Sequence, residues 1–384
     1  MSDTDESLAL LPNGFVDILP PDAEGEANSI TVLMQKFRSF GYRRIKPPLL
    51  EFEDSLLAPG PGERLASETF RLMDPVSHRM LGVRSDITAQ VARIVSSRLG
   101  NEPRPLRLTY ANDALRTRGS QMRTERQFTQ VGCELVDDTD KSFADVEICV
   151  LSLLGLKALG LKDITLDLNI PGFVDHLMND VPKGDQDKAK KAVEQRDVDV
   201  LRAMPSQAAQ LIAQAMQASG HAQEALSALE GGAFDATIKR NIAGLKTLCD
   251  SIQAALDDLG IEDVNLTIDL VEQHGFEYHK NYGFTLFSAG SRGELGRGGA
   301  YDIHFGQKGV AETARGFTLY MDTISKFTRA PAAIEAVFVP ADTPWRDITK
   351  LQEEGYVTVR GTEHNQSAST CSHIYHNGKI EKRS

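Results

Sequence analysis

Four arginines, Arg116, Arg118, Arg123 and Arg126, lie close together in one polar stretch of the chain. Alternating sequence of the kind found in β-strands precedes and follows them, at residues 106–111 and 127–135. Arginine presents a planar fork of donors that matches phosphate or carboxylate, so a loop of this kind can hold guanidinium groups over an anionic ligand. The other interpretation is a solvated hairpin tip, and charge alone favours it.

A second polar stretch, RSDIT at residues 84–88, precedes apolar residues at helical spacing. It places Asp86 and Thr88 at the start of the predicted helix, where both residue types are common N-caps. An N-cap is the structural interpretation of this pair. A ligand-binding role is the alternative, and one residue can serve both purposes.

The elements before this helix are also predictable. The apolar residues of 30–40 recur at helical spacing, and Gly41 ends that helix. Residues 42–51 are extended, because two prolines forbid a helix there and discourage a central strand. Residues 68–82 predict two strands joined by a turn at Asp74-Pro75.

After the arginine stretch, residues 143–159 predict a helix and residues 164–169 a strand. From about 171 to 260 the sequence is rich in Ala, Gln and Lys and lacks strand signals, which predicts an inserted helical subdomain. From residue 264 onward the sequence again predicts β-strands, and a glycine-rich turn is expected within residues 296–302. The predicted strands are residues 264–270, 275–279 with 284–287, 296–302, and 315–322.

The sequence after residue 325 predicts a small α/β C-terminal subdomain, residues 326–384, beside a main domain of residues 1–325. Its expected strands are residues 336–339, 356–359 and 373–375, and its expected helix is 344–354.

Composition narrows the function classes. A chain of 384 residues with 41% hydrophobic content is typical of a globular protein. The formal net charge of −12 argues against a nucleic-acid partner, whose phosphates need a basic surface. The apolar runs are shorter than the ~20 residues of a membrane span, and the acidic start MSDTDES is unlike a signal peptide, so a cytoplasmic location is expected. The cysteines, which form no CxxC pair, are expected to be buried rather than metal-bound: Cys133, Cys149, Cys249 and Cys371.

Residues 126–134, RQFTQVGCE, resemble motif 2 of histidyl-tRNA synthetases. Residues 42–51 resemble motif 1 of class II aminoacyl-tRNA synthetases, the segment that forms their dimer interface, and RSDIT resembles the element that holds the substrate ammonium. The histidine-specific motifs and motif 3 have counterparts at residues 274–279, 298–303 and 316–323. The resemblance spans roughly residues 11–325. It implies an α+β class II synthetase-like fold, with a mixed, mainly antiparallel sheet flanked by helices.

The same resemblance implies a histidine pocket. Asp86 and Thr88 would hold the ammonium, Arg116 the carboxylate, and an acceptor such as Glu134 would suit an imidazole N–H. His279 replaces the second tyrosine of a Tyr-Tyr pair, which weakens the match at the imidazole end. The residues implied to bind histidine are Asp86, Thr88, Arg116, Gln130, Glu134, Tyr278 and Tyr301.

The family's nucleotide-binding groups are largely replaced in this chain. Amino-acid activation needs positive charge around the triphosphate, and such groups stabilise the transition state strongly. Arg118 stands for the motif 2 glutamate, and the other replacements are His274 and Ala300 for two arginines and Asp322-Thr323 for the Glu-Arg of motif 3. Adenylate formation is therefore expected to be crippled or absent.

A chain with these losses, and with a tail of about sixty residues in place of an anticodon domain, resembles the regulatory subunits of ATP phosphoribosyltransferase, which are histidyl-tRNA synthetase paralogues. The resemblance implies a non-catalytic subunit required for the activity of a short-form catalytic subunit and for its feedback inhibition by histidine. It also implies a homodimer within a larger hetero-oligomer such as a hetero-octamer, with no cofactor, no tRNA and no membrane. A divergent amino-acid-activating enzyme or ligase is the alternative, and an amino-acid sensor without a metabolic partner is a third reading.

Overall fold

The structure is a computed structural model that describes residues 9–58, 61–119, 123–136, 141–272, 279–303, 312–328, 336–362, 371–376 and 378–382. The chain forms two compact units. The larger comprises Met1–Leu19 and Glu26–Thr328, and the smaller comprises Pro20–Gly25 and Arg329–Ser384. None of the described helices combines the length and the apolar composition that a bilayer crossing requires.

Two groups of strands in the larger unit flank a helical stretch. The strands up to residue 328 are β1 Arg43–Arg44, β2 Leu50–Phe52, β3 Arg71–Met73, β4 Met80–Val83, β5 Leu106–Leu115, β6 Gln127–Val136, β7 Ile164–Asn169, β8 Gly220–His221, β9 Val264–Ile268, β10 His279–Ser288, β11 Gly296–Ile303 and β12 Glu312–Tyr320. The α-helices are α1 Asp22–Ser39, α2 Glu53–Leu56, α3 Thr88–Arg98, α4 Lys141–Ala158, α5 Phe173–Met178, α6 Gln186–Glu194, α7 Val198–Ala203, α8 Gln207–Ala218, α9 Ala222–Glu230, α10 Ala236–Asp258 and α11 Met321–Ile324.

A nine-stranded sheet with the order β1-β5-β6-β12-β11-β10-β7-β9-β8 organises this unit. Its pairs β1–β5 and β7–β9 are parallel. The other neighbours in the sheet are antiparallel. A separate three-stranded sheet has the order β2-β4-β3. The prediction of a mixed, mainly antiparallel sheet is therefore confirmed.

The two faces of the large sheet differ in polarity, because successive residues of a strand point to opposite faces. One face packs on helices: Phe37 of α1 meets Phe317 of β12 edge to face, with 5.5 Å between the ring centroids. The opposite face carries polar side chains from neighbouring strands, among them Gln130, Glu134 and Tyr301. This polar face, called the site face below, contains the candidate site.

The insertion predicted at about 171–260 is helical, and its apolar side chains join the same core as those of the sheet. Side chains of Asp197, Ser206 and Asp235 cap α7, α8 and α10 at their first turns. The prediction of an insertion without strands is wrong in one respect, because β8 pairs with β9. Two residues are too few to leave an alternating pattern in a sequence.

The glycine-rich turn predicted within residues 296–302 is also wrong, because this stretch is one continuous strand, β11. The glycines let neighbouring groups approach closely. A Cβ at Gly298 would lie 2.3 Å from the Phe284 ring, and one at Gly299 would lie 2.5 Å from His279. Glycine in a strand marks either a bend or such a close approach, and the sequence alone does not distinguish them.

Two other boundaries differ from the predictions. Strand β5 continues to Leu115, so the hairpin loop begins only at Arg116. Strand β12 ends at Tyr320, which places Asp322 and Thr323 in the short helix α11 rather than in a strand. The prediction that the four cysteines are buried is confirmed.

The smaller unit is a four-stranded α/β piece with its own apolar core of Val337, Val339, Ile348 and Leu351. Its elements are β13 Ala336–Pro340, α12 Trp345–Glu353, β14 Val357–Gly361, β15 His373–His376 and β16 Lys379–Lys382, in the sheet order β14-β13-β15-β16. The last strand was not predicted from the sequence.

Candidate functional site

A buried carboxyl group lies at the centre of the site face. Glu134 of β6 is 2% exposed, and its Oε2 accepts a hydrogen bond from the Tyr301 hydroxyl at 3.0 Å. The Tyr110 hydroxyl lies 3.4 Å from the other oxygen and 2.8 Å from the Thr318 hydroxyl. Three strands thus supply hydroxyl groups around one acidic side chain. Of these three hydroxyl-bearing residues, only Tyr301 was predicted from the sequence.

Two glycines make room for this arrangement. A Cβ at Gly316 of β12 would lie 1.8 Å from Glu134 Oε2, and one at Gly132 of β6 would lie 2.5 Å from the Tyr110 ring. Gly316 stands directly opposite Glu134 in the β6–β12 ladder, and Gly132 stands opposite Tyr110 in the β5–β6 ladder. Side chains opposite each other on one face compete for the same space, so a residue without a side chain is needed beside each large one.

Burial sets the charge of this carboxyl group. The pKa of Glu134 is raised to about 8, chiefly by burial and also by the negative charge of Asp86, although the hydrogen bonds from Tyr301 and Tyr110 act in the opposite direction. At neutral pH the ligand-free protein therefore carries a proton on Glu134. A protonated carboxyl can donate a hydrogen bond to an imidazole nitrogen, and the carboxylate can accept one from an imidazolium.

We expect this pKa to appear as a difference in pH-dependent stability between wild type and Glu134→Gln. The folded protein keeps a proton that the unfolded chain, with an ordinary pKa of 4.5, releases. Because the unfolded state binds fewer protons, wild-type stability falls as pH rises from about 4.5 to about 8, by on the order of a few kcal/mol. The glutamine variant lacks this slope. Urea denaturation at pH 5 and pH 8 measures it, and an equal slope in both proteins would contradict the raised pKa.

The ammonium-binding residues implied by the resemblance lie beside this group. Asp86 accepts hydrogen bonds from the Gln130 side-chain amide and from the backbone N–H of Thr88, each at 2.8 Å. The amide oxygen of Gln130 accepts from the backbone N–H of Ile87 at 3.1 Å. The N-cap of α3 is Ile87 and makes no side-chain cap, so Asp86 serves the helix start from one residue earlier than expected. One oxygen each of Asp86 and Gln130 thus holds the backbone at the helix start.

The start of α3 is held in place by a buried arginine that the motif comparison had not singled out. Arg84 is 4% exposed and donates to the backbone oxygens of Asp113, Pro47 and Pro48 at 2.5, 3.1 and 3.2 Å. Its guanidinium therefore joins the extended segment before β2 to the end of β5. This fixes the position of Asp86, two residues further on.

Three of the four arginines in the loop do not present their charges to an open surface. Arg116 lies 3.3 Å from Glu68 and its guanidinium is 5.2 Å from the Phe128 ring centroid. Arg126 donates to the backbone oxygens of Arg116 and Asn13 at 3.2 and 3.1 Å. Arg118 alone of the four is exposed. The two interpretations offered for this loop, a free anion clamp and a solvated tip, are both incomplete, because partners distant in sequence engage its charges.

Arg123 is the most enclosed of the four, at 7% exposed. Its guanidinium stacks 3.7 Å from the centroid of Tyr320 and lies 4.8 Å from that of Phe128. Two carboxylates pair with it, Asp322 at 3.0 Å and Glu294 at 3.3 Å, and Glu294 also forms an ion pair with Arg297. A planar cation and two acids of the chain itself thus occupy the end of the site face next to α11.

Not every residue implied by the resemblance can be located. Tyr278 and His274 lie outside the described residues. His279 is buried, and burial with the positive charge of Arg297 lowers its pKa to about 3, so its imidazole is neutral. The site residues that sequence reasoning missed are Tyr110, Thr318, Glu294 and Arg84. Tyr110 and Thr318 were missed because tyrosine and threonine are common in β-strands, so nothing in the sequence distinguishes them from ordinary strand residues.

Comparison with known proteins identifies the family of this chain. The model of the family "Histidyl-tRNA synthetase" matches residues 14–324. A protein of Rhodospirillum centenum named ATP phosphoribosyltransferase regulatory subunit is 41% identical, over 98% of this chain and 97% of the relative. A protein of the same name from Paramagnetospirillum magneticum is 42% identical, over 92% of this chain and 91% of the relative.

Solved structures show the same fold. An ATP phosphoribosyltransferase regulatory subunit/histidyl-tRNA synthetase from Bacillus halodurans superposes with a TM-score of 0.78 at 20% identity, covering 94% of this chain and 96% of that one. Histidyl-tRNA synthetase from Nostoc sp. PCC 7120 gives a TM-score of 0.73 at 16% identity, covering 94% and 88%. The expected class II synthetase-like fold is thereby confirmed. Because it is 41–42% identical to these relatives over 92–98% of its length, the chain belongs to the family of ATP phosphoribosyltransferase regulatory subunits, which share the histidyl-tRNA synthetase fold.

Proposed function

We propose that the chain is the non-catalytic subunit of an ATP phosphoribosyltransferase, that it activates a short-form catalytic subunit, and that it makes the assembled enzyme sensitive to histidine. The observation that carries the proposal is the contrast between the two ends of the site face. Polar groups suited to an amino acid surround Glu134, whereas at the α11 end the chain's own acids neutralise the enclosed arginine.

The amino-acid end offers a partner for each group of histidine. Asp86 is the acceptor for an ammonium, Arg116 is the donor for a carboxylate, and Glu134 faces an imidazole with the hydroxyls of Tyr110 and Tyr301 around it. Each charged group of a ligand needs such a partner once water is excluded. Arg116 already has a countercharge in Glu68, so a bound carboxylate would compete with that residue.

The α11 end does not suit a triphosphate. Phosphoryl chemistry depends on net positive charge around the phosphate oxygens. Asp322 and Glu294 place two negative charges around Arg123, and the planar guanidinium itself covers the Tyr320 ring. A nucleotide would have to displace Arg123 and bring its phosphates beside two carboxylates.

Reconstitution with a short phosphoribosyltransferase tests the proposed function. Such a catalytic chain, poorly active alone, is expected to gain activity with ATP and phosphoribosyl pyrophosphate when this chain is added, and to lose that activity at increasing histidine. A chain that co-purifies with the catalytic subunit and leaves its activity and histidine response unchanged would refute the regulatory role.

We expect that the purified chain does not form histidyl-adenylate. The reason is the charge balance around Arg123, together with Ala300 and Thr323 at positions where the synthetases carry arginine. Histidine-dependent exchange between ATP and pyrophosphate is the measurement, with an authentic histidyl-tRNA synthetase as the positive control. Exchange above the no-histidine background would contradict the expectation and favour an amino-acid-activating enzyme.

We also expect a homodimer built through residues 45–51. This extended segment runs into β2 of the small sheet β2-β4-β3, and one face of that sheet exposes Leu50, Phe52 and Leu72. Apolar side chains grouped on one surface and an open strand edge both favour a partner chain. Sedimentation at micromolar concentration should give a dimer, and Phe52→Arg should shift it toward monomer. A wild-type monomer under these conditions would rule the interface out.

A further inference from the structure

Three carboxylates gather at the carboxyl ends of the parallel strands β7 and β9. Asp167 belongs to β7, and Asp269 and Glu272 follow β9 directly. One guanidinium from the insertion faces them: Arg196 Nη2 lies 2.5 Å from Asp269 and 3.6 Å from Glu272. Ligands of open α/β sheets commonly bind at this end of parallel strands.

Asp269 is fully engaged within the chain. Besides Arg196, the Ser219 hydroxyl and the backbone N–H of Val271 each donate to it at 3.1 Å. Its role is to join the insertion to the segment after β9. Of the described residues, Arg196 and Arg297 are the guanidinium groups near this cluster; they interact with Asp269 and Glu272, and neither lies within ion-pair distance of Asp167.

Asp167 is mostly buried and accepts a hydrogen bond from the Thr267 hydroxyl at 2.5 Å. Its pKa is raised to about 6, chiefly by burial and also by the charges of Asp269 and Glu272, although the hydrogen bond from Thr267 and the charge of Arg196 act in the opposite direction. The side chain thus lies in a surrounding that supplies too little positive charge for a carboxylate.

Asn169 is the second, independent sign of a missing donor. It is 2% exposed and lies two residues after Asp167 on the same face of β7, about 7 Å along the strand. Its amide nitrogen donates to the backbone oxygen of Glu272 at 3.4 Å, whereas its amide oxygen has no hydrogen-bond partner within the described part of the chain. Buried acceptors without a donor are rare in folded proteins.

We propose that Asp167 and Asn169 form a binding site for an ammonium or guanidinium group. The acceptors are a carboxylate and an amide oxygen, which together call for a cation that carries N–H donors. Among the described residues, no group of three or more His, Cys, Asp or Glu side chains could hold a metal ion. Arg196 occupies the neighbouring position with the same chemistry, and its half-exposed side chain leaves that end of the cluster open to solvent.

This site is separate from the one at Glu134. The sheet order β6-β12-β11-β10-β7 places Asp167 four strand spacings from Glu134, about 19 Å away. The cation can come from a free small molecule or from a lysine or arginine of a partner chain.

Titration of the full-length chain with methylguanidinium and methylammonium tests the proposal. The readout is the side-chain amide signal of Asn169 in protein labelled with ¹⁵N-asparagine, assigned by its loss in Asn169→Ala. We expect a saturable shift with both cations. Tetramethylammonium, which carries the charge without N–H donors, should produce none at equal ionic strength.

Two variants separate binding from a general effect of charge. Asp167→Asn should raise the cation concentration for half-saturation at least tenfold, whereas Glu262→Gln, the same charge change at an exposed carboxylate, should leave it unchanged. Shifts equal to those with tetramethylammonium, or shifts unaffected by Asp167→Asn, would overturn the proposal and leave an internal structural cluster.

Assembly with the short catalytic subunit identifies the source of the cation. If a partner side chain supplies it, Asp167→Asn weakens assembly about tenfold and methylguanidinium competes with it. If a free compound supplies it, the shift in the isolated chain is lost in Asp167→Asn while assembly is unchanged. The titration does not depend on the regulatory role, so a failed reconstitution leaves it interpretable.

Discussion

Replacing Glu134 by glutamine is expected to weaken histidine binding to the isolated chain by roughly 5- to 150-fold, equivalent to about 1 to 3 kcal/mol. In the wild type, transfer of the Glu134 proton to the bound imidazole gives a carboxylate and an imidazolium, and the hydrogen bond between these two ions is charge-assisted. Glutamine keeps the shape and the contacts with Tyr110 and Tyr301 but carries no charge. Calorimetry on both proteins measures the difference.

The same substitution should raise the histidine concentration that inhibits the assembled enzyme while assembly remains intact. An effector changes activity only through its different affinities for two states of the complex, so weaker binding at the regulatory site must weaken inhibition. Inhibition that is unchanged in a complex that still assembles would place the regulatory histidine site outside this pocket. It would leave Asp86, Gln130 and Glu134 as an internal polar network.

Two controls accompany this experiment. Glu262→Gln makes the same charge change on an exposed side chain and should alter neither binding nor inhibition. The pH dependence described above gives the second control, because Glu134→Gln is expected to be at least as stable as wild type at pH 8. Lost binding in a variant of undiminished stability cannot be attributed to unfolding.

Gly132→Ala is expected to destabilise the protein by about 3 kcal/mol or more. The new Cβ would lie 2.4 Å from the backbone oxygen of Phe317 and 2.5 Å from the Tyr110 ring. The first contact is with the backbone of β12, which cannot retreat without parting from β6. The second would push Tyr110 away from Glu134, so histidine binding should fall together with stability.

Gly244→Ala is the matched control for this substitution. Gly244 lies inside α10, and a Cβ there would meet nothing within 4 Å. Alanine favours a helix over glycine, so this variant should gain roughly 0.5 to 1 kcal/mol. Urea denaturation of both variants makes the comparison. If the free energy of unfolding of Gly132→Ala lies within about 0.5 kcal/mol of the wild-type value, the strands and the Tyr110 ring adjust at little cost and the packing prediction is wrong.

Much of the framework is predictable because it depends on local pattern. Alternation located β7 at residues 164–169 as the structure has it, and helical spacing predicted α4 at residues 143–159, within two residues of its observed bounds. The resemblance to the synthetase motifs grouped Asp86, Gln130, Glu134 and Tyr301 into one expected site, and in the structure Asp86 contacts Gln130 and Glu134 contacts Tyr301. The strand β8 was missed because two residues are too few to show an alternating pattern. The glycines within β11 were taken for a turn because glycine marks either a turn or a close approach between neighbouring groups.

What the sequence determined by itself is therefore the order of the elements, the faces of the long strands and the polar residues that share the site face. Tertiary structure decided which of those residues meet, since register between strands far apart in the chain is set by the whole sheet. Tyr110 reaches Thr318, and Arg123 reaches Glu294 and Asp322, only because the sheet places its strands in the order β5-β6-β12-β11. The protonation of Glu134 was also beyond the sequence, because it follows from burial, a property of the folded core rather than of residue type.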